Sequence, residues 1–161
     1  MIIEVEGDIT LSGANAVAHV VAPNDEFKTG FAHSLKESWP ALYKDFRHFC
    51  RQEHPKAGEV WGWKGAGSST VYSLMVQEPA EGHSSHPGKA SLPALNKALG
   101  ELRKLCDKEK FTTLAMTRLA TGVGGLDWDD VKPLVDKYFQ NSDMRVYVYQ
   151  TYRPKVKAIE D

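Results

Sequence analysis

The stretch Leu114-Ala-Met-Thr-Arg-Leu-Ala-Thr-Gly-Val-Gly-Gly-Leu-Asp-Trp-Asp-Asp-Val131 changes its hydrophobic period halfway along. From Phe111 to Met116 it is short, apolar and rich in β-branched residues, which reads as a buried strand; from Trp128 the apolar residues recur at helical spacing. Strand, glycine turn, helix is the local order. Gly122, Gly124 and Gly125 permit positive φ and close approach to the backbone, and the free N–H groups of such a turn suit phosphate oxygens. The stretch reads as an anion-binding loop. A plain strand-to-helix connection is the competing reading, although it needs one glycine rather than three.

Working outward on the C-terminal side, Trp128, Val131, Leu134, Val135, Tyr138 and Phe139 mark one face of a helix, with Asp127 placed to cap it. Met144-Arg-Val-Tyr-Val-Tyr149 reads as a last strand, and residues 155–161 as a frayed, charged tail beyond a single domain of residues 1–154. On the N-terminal side, Ser91 resembles an N-cap, and Leu92, Leu95, Leu99, Leu102 and Leu105 mark a second amphipathic helix. The segment from Glu78 to Lys89 is an irregular loop. Two strands, Glu59–Trp63 and Thr70–Val76, precede it and are joined by a loose glycine-bearing turn. Ile2–Glu6 alternates and stops at Gly7-Asp8, while Ala16–Val21 is more buried in character. A breaker-rich segment from Ala22 to Gly30 then feeds helix on both sides of Pro40.

Strands alternating with helices in 161 residues point to an α/β layered sandwich with a mixed, mostly parallel sheet. Both glycine-bearing loops follow strands and precede helices, so both belong at the carboxyl edge of the sheet, where one cleft between them is the expected site. A hydrophobic content of 42% is enough for a substantial single core, and a formal net charge of -1 gives no bulk attraction to unmodified nucleic acid or to an anionic membrane. No apolar run approaches the roughly 20 residues that span a bilayer. Cys50 and Cys106 are far apart and unpaired in pattern, which with the N-terminal sequence gives the expectation of a soluble, cytoplasmic protein.

Several constellations fail on chemistry. Gly62-Trp-Lys-Gly-Ala-Gly67 has the outline of a P-loop, but Ser68 stands where the lysine belongs. Gly122-Val-Gly124 opens like a dinucleotide fingerprint, but Asp127 takes the place of the third glycine. His48, Cys50 and His54, and likewise His83 and His86, do not reach a four-ligand spacing, so no metal is expected. Cys106 falls on the leucine face of its helix as a structural thiol. Trp61, Trp63 and Trp128 read as core or cleft-wall residues.

Gly7-Asp8-Ile9 after the first strand, His19 in the second, Lys28-Thr-Gly-Phe-Ala32 opening a helix, and Met116-Thr-Arg-Leu-Ala-Thr-Gly-Val-Gly-Gly-Leu-Asp-Trp128 together resemble a macrodomain. The likeness covers nearly the whole chain and is strongest to the branch of terminal ADP-ribose glycohydrolases and antitoxins of DNA-ADP-ribosylating toxin pairs. It implies a three-layer α/β/α sandwich that binds ADP-ribose, or ADP-ribosylated protein or DNA, with no cofactor. Asp8, beside Ile9, would match the acidic residue that accepts from the adenine amine, against the simpler reading of Asp8 as a turn former. Lys28, Thr29, Gly30, Phe31 and Ala32 would match the loop around the distal ribose and diphosphate. Thr121, Gly122, Val123, Gly124, Gly125 and Leu126 would match the phosphate loop, and Tyr149 or Tyr152 would wall the adenine.

The resembled glycohydrolases use a lysine at the end of the strand matching Val71–Val76 and an acidic residue in the last glycine loop. Gln77 and Gly124 occupy those positions here. Neither supplies a nucleophile or an acid/base, which leaves Asp25 and Lys89 as the only substitutes in nearby loops. The resemblance therefore implies a binder with weak or no hydrolase activity, with an ADP-ribosyl glycohydrolase as the alternative. A third reading is an interaction module using a basic rim of Lys28, Lys64, Lys89 and Arg118.

Overall fold

The structure, a computed structural model, describes residues 1–28, 30–67, 69–80 and 87–161. Thr29 and the pair His83 and His86 lie outside the described residues. Six strands, β1 (Ile2–Gly7), β2 (Ala16–Val21), β3 (Val60–Ala66), β4 (Ser69–Met75), β5 (Thr113–Thr117) and β6 (Arg145–Tyr152), form one sheet in the order β1-β6-β5-β2-β4-β3. Every neighbouring pair is parallel except β3 with β4, which the loose turn joins as an antiparallel pair. Among the described residues, four α-helices and one short 3-10 helix (Ile9–Leu11) complete the fold, the α-helices being α1 (Gly30–Ser38), α2 (Pro40–Glu53), α3 (Leu92–Lys108) and α4 (Trp128–Phe139). No helix among the described residues is long and apolar enough to cross a membrane.

The period-2 rule distributes the strand side chains between two layers. Ala16, Ala18, Leu74, Leu114, Met116, Val146 and Val148 face α3 and α4, whose Leu95, Leu99, Leu102, Val131 and Val135 complete that layer. Val71 and Met75 point the other way, against α1 and α2 through Leu35, Leu42 and Phe46. The sheet is thus sandwiched, and β4 is buried along its whole length, as a central strand covered on both faces must be. The helix starts follow from their caps. Ser91 Oγ accepts from Ala94 N at 3.2 Å, and Asp127 Oδ1 accepts from Asp129 N at 2.9 Å. Asp129 and Asp130 add negative charge to the first turn of α4, where the helix dipole favours it.

Val17, Ala115, Tyr147 and Tyr149 point to the second face on the β1 side of the sheet, where α1 contributes Phe31 at the margin. Ile9, Ala14 and Ala158 cover them. The tail expected to fray is therefore docked. Asp8 N donates to Val156 O at 2.7 Å, Ala158 is 7% exposed, and the Glu160 carboxylate accepts from Ser12, Gly13 and Tyr149. Its charged letters conceal one buried alanine and one committed carboxylate, and the uncovered apolar patch supplies the driving force.

The core also contains a histidine. His19 on β2 is opposite Ser73 on β4, its Nε2 lies 2.6 Å from Ser73 Oγ, and its ring meets Phe27 and Phe31 edge-on. Burial pushes its pKa down to about 3. The folded protein holds it neutral, whereas the unfolded chain protonates it near 6.5. Acid therefore favours unfolding: this contribution is fully present above pH 6.5 and is lost as pH falls below it, at up to about 1.4 kcal/mol per pH unit. Thermal unfolding followed by circular dichroism should show the melting temperature falling from pH 7 to 5.5, above the range in which ordinary carboxylates titrate. His19→Gln should flatten that slope; equal slopes in the two proteins would show that His19 is not its source.

Candidate functional site

The carboxyl ends of β2, β4, β5 and β6 open onto a cleft of about 340 Å³ whose lining includes Val20, Gln77, Thr117 and Tyr149. A second hollow of about 370 Å³ continues it toward β1 and is lined by Gly7, Ile9 and Ser34. The two share Gly30, Phe31, Thr117, Tyr149 and Tyr152, so they are halves of one groove. It lies where crossover connections leave β2 and β5 in opposite directions, the usual ligand position in an open parallel sheet.

The glycine loop after β5 forms one wall. Thr121 Oγ1 donates to Arg118 O at 2.6 Å, Leu126 N to Ala120 O at 2.9 Å and Gly125 N to Gly122 O at 3.0 Å, which fixes the loop as a compact turn. The N–H groups of Gly122, Val123 and Gly124 find no acceptor among the described residues, and all three residues line the cleft. Successive free N–H groups are a receptor for an anion. The three glycines divide the work differently from the sequence expectation. Only Gly125 has a positive φ, 74°, and the left-handed residue beside it is Ala120 at 62°. Gly122 borders open space. Gly124 is required for room, because a Cβ there would meet Ala120 O at 2.7 Å.

The loop after β2 forms the facing wall. Asp25 accepts from Ala22 N at 3.2 Å and from Phe27 N at 2.8 Å, pulling the chain into a tight turn with Asn24 and Phe27 at positive φ. Phe27 is fully buried among the aromatic side chains of α2, and that packing holds a backbone conformation costing about 1 kcal/mol or more. Gly30 then enters α1 at φ 60°, and Gly30, Phe31 and Ala32 border the cleft with the unpaired N–H groups of a first helical turn. Burial raises the Asp25 carboxyl, partly offset by its two backbone donors. Asp25 borders the cleft, but its oxygens are committed to the loop.

Of the sequence-derived residues, Ile9, Gly30, Phe31, Ala32, Thr121, Gly122, Val123 and Gly124 converge on the groove. Lys28 does not line it; Lys28 is exposed, pairs with Glu26 at 2.9 Å and borders a separate hollow with Arg47 and Arg51. Gly125 and Leu126 stand behind the wall, with Leu126 packed toward α3 and α4. Lys89 is exposed and outside the lining. Lys64 pairs with Glu109, which leaves Arg118 as the only member of the supposed basic rim that borders the cleft. Asp8 is 6% exposed and is not part of the lining. Its Oδ1 accepts from Thr10 N and Oγ1, and its Oδ2 from Lys155 N. Burial alone would raise this carboxyl, but those donors hold it below its ordinary value. The turn-forming reading of Asp8 is the one its contacts describe.

Sequence reasoning gave Thr117 no role, used His19 only as part of the resemblance, and used Arg118 only as part of a basic rim. His19 lines the cleft with Nδ1 unpartnered among the described residues. Arg118 lies over the Trp128 ring at 5.3 Å and 3.8 Å from Glu4, and its buried Nε has no partner among the described residues. Thr117 ends β5 and Arg118 directly follows it, and the carboxyl end of a central strand was the available signal. Tyr149 and Tyr152 both line the groove. Among the described residues no group of three or more His, Cys, Asp or Glu is placed to hold a metal ion.

No family model matches the chain. The human protein named ADP-ribose glycohydrolase OARD1 is 26% identical over 146 residues, covering 90% of this chain and 88% of its own length. A DNA ADP-ribosyl glycohydrolase of Mycobacterium tuberculosis is 23% identical over 144 residues; the match covers 89% of this chain but 40% of that protein. Among solved structures, the macrodomain of Mycobacterium tuberculosis DarG superposes with a TM-score of 0.79 at 21% identity, covering 96% and 99% of the two chains. Thermosipho africanus DarTG in complex with ADP-ribose gives 0.76 at 18% identity, covering 96% of this chain and 42% of that one. With its mostly parallel six-stranded sheet between two covered faces and its groove between two strand-to-helix loops, this chain has the macrodomain fold.

Proposed function

We propose that the groove binds ADP-ribose, free or attached to a protein or to DNA. The observation that carries this reading is the set of three unpaired N–H groups at Gly122, Val123 and Gly124, facing the unpaired first turn of α1 across the cleft. A diphosphate bound by backbone dipoles needs no lysine cluster, in agreement with the near-neutral chain. The hollow between Ile9, Phe31, Tyr149 and Tyr152 is apolar and suits a flat base, with the unpaired Ile9 N–H at its wall as the directional donor. Two free, buried cysteines, Cys50 and Cys106, fit a reducing, cytoplasmic setting. Burial pushes the Cys106 thiol up to about 12, which removes it as a nucleophile.

Titration calorimetry should find ADP-ribose binding well above AMP and NAD. Gly122→Val should lower ADP-ribose affinity about tenfold or more by filling open space at the anion wall, while melting like the parent because nothing lies within 4 Å of the new Cβ. Absent ADP-ribose binding by the parent, or a Gly122→Val variant that binds like it, would sink this placement.

The same geometry favours retention of the ligand over its cleavage. Gln77 lines the cleft, but its Nε2 donates to Gly88 O at 3.0 Å, tying it to the chain before α3. The loop at Gly124 has no room for an acidic side chain. Asp25 is occupied by backbone donors, and Lys89 is outside the groove. We therefore assign a reader or sequestering role. Incubation with ADP-ribosylated glutamate peptides and with ADP-ribosylated single-stranded DNA should release little ADP-ribose over hours. Rapid release from either would establish the glycohydrolase alternative.

A further inference from the structure

The chain beyond β6 bonds to two residues that line the apolar half of the groove, Gly7 and Tyr149, and to Asp8, which lies between Gly7 and Ile9. Arg153 N donates to Gly7 O at 3.0 Å, Asp8 N to Val156 O at 2.7 Å, and Lys155 N to Asp8 Oδ2 at 2.9 Å. These bonds fix Gly7 and Asp8 on either side of the turn that leads into Ile9. The approach is close enough that a Cβ on Gly7 would fall 2.8 Å from both Val156 O and Ala158 N. Farther on, Ala158 packs with Tyr147 and Tyr149, and Glu160 brings three donors to one carboxylate: Ser12 Oγ at 2.7 Å, Gly13 N at 2.9 Å and Tyr149 Oη at 2.7 Å. Tyr149 is the only one of these groups that borders both halves of the groove. Burial and the neighbouring Glu160 carboxylate push the Tyr149 phenol up, so it remains a protonated donor to Glu160.

We propose that residues 153–160 are a strap that sets the shape of the base-binding half of the groove, and that Glu160 is a positioning residue acting through Tyr149. A ring held at its hydroxyl end cannot swing away, so the slot is formed before ligand arrives and less order has to be imposed on binding. That the occupant is the adenine of ADP-ribose rests on the proposed function; that the strap shapes the slot does not.

Two measurements separate these claims. In the free protein, the methyl resonances of Ile9, which lies beside the Tyr149 ring, should shift in Glu160→Ala and in Tyr149→Phe while the melting temperature changes little. Unshifted Ile9 methyls in both variants would overturn the strap with no ligand involved. In calorimetry, Glu160→Ala and Tyr149→Phe should each weaken ADP-ribose binding about tenfold and leave inorganic pyrophosphate binding unchanged. The double variant should lose little more than either single one, because the two side chains act as one unit. Equal losses for ADP-ribose and pyrophosphate, full additivity, or parental affinity in Glu160→Ala would each overturn the positioning role. A parent that binds no ADP-ribose would overturn the identity of the base, and the methyl shifts would still decide the strap.

Discussion

A sheet that is mostly parallel presents two apolar faces, and both must be covered for its strands to stay buried. In this chain α3 and α4 together cover one face along its length, whereas α1 and α2 cover only the half of the other face that belongs to β2, β4 and β3. The remaining half, with Ala115, Tyr147 and Tyr149, is closed by the turn around Ile9 and by Ala158 from the end of the chain. The groove follows from this division. Its polar side is walled by loops that feed helices and therefore offer free N–H groups. Its apolar side lies between the turn at Gly7 and Ile9, the first turns of α1 at Gly30, Phe31 and Ser34, and Tyr149 and Tyr152 of β6.

What the sequence disclosed depended on how local each signal was. Ser91 and Asp127 cap helices through bonds that span three and two residues, so their roles were legible from neighbouring letters. The same holds for the strand-to-helix change across the glycine loop. Lys28 shows the opposite case. It adjoins the loop that borders the cleft, but the reversal at Phe27 turns its side chain away toward Glu26. Asp8 and Glu160 were also out of reach, since their partners include residues 147 and 148 positions away, and charged letters near a chain end carry the same pattern whether docked or solvated. The glycines were half legible: three within four residues announce close approach, but only the structure separates Gly125, needed for its φ, from Gly124, needed for the space a Cβ would take from Ala120 O.

Gln77 and Gly124 are linked through the chain between them. Gln77 pairs with Ala90 as an isolated bridge and its amide reaches Gly88 O, while Ala90 N donates to Gly124 O at 2.9 Å. The residue past β4, the entry to α3 and the glycine loop are therefore joined at the cleft by neutral hydrogen bonds. A lysine at position 77 would lose the amide bond to Gly88 O and bring an ammonium into a buried position, where desolvation disfavours its charged form. A carboxylate at position 124 would push Ala120 away and strain the bond to Ala90. Both changes would have to be accompanied by a different path for the chain from Gly88 to Ala90. The absence of catalytic groups at these two positions is thus one structural fact: this wall of the groove is assembled as a closed, uncharged network whose free donors are the backbone N–H groups of residues 122–124. Such a network offers fixed backbone donors suited to an anion, and it places no ionisable side chain at either position.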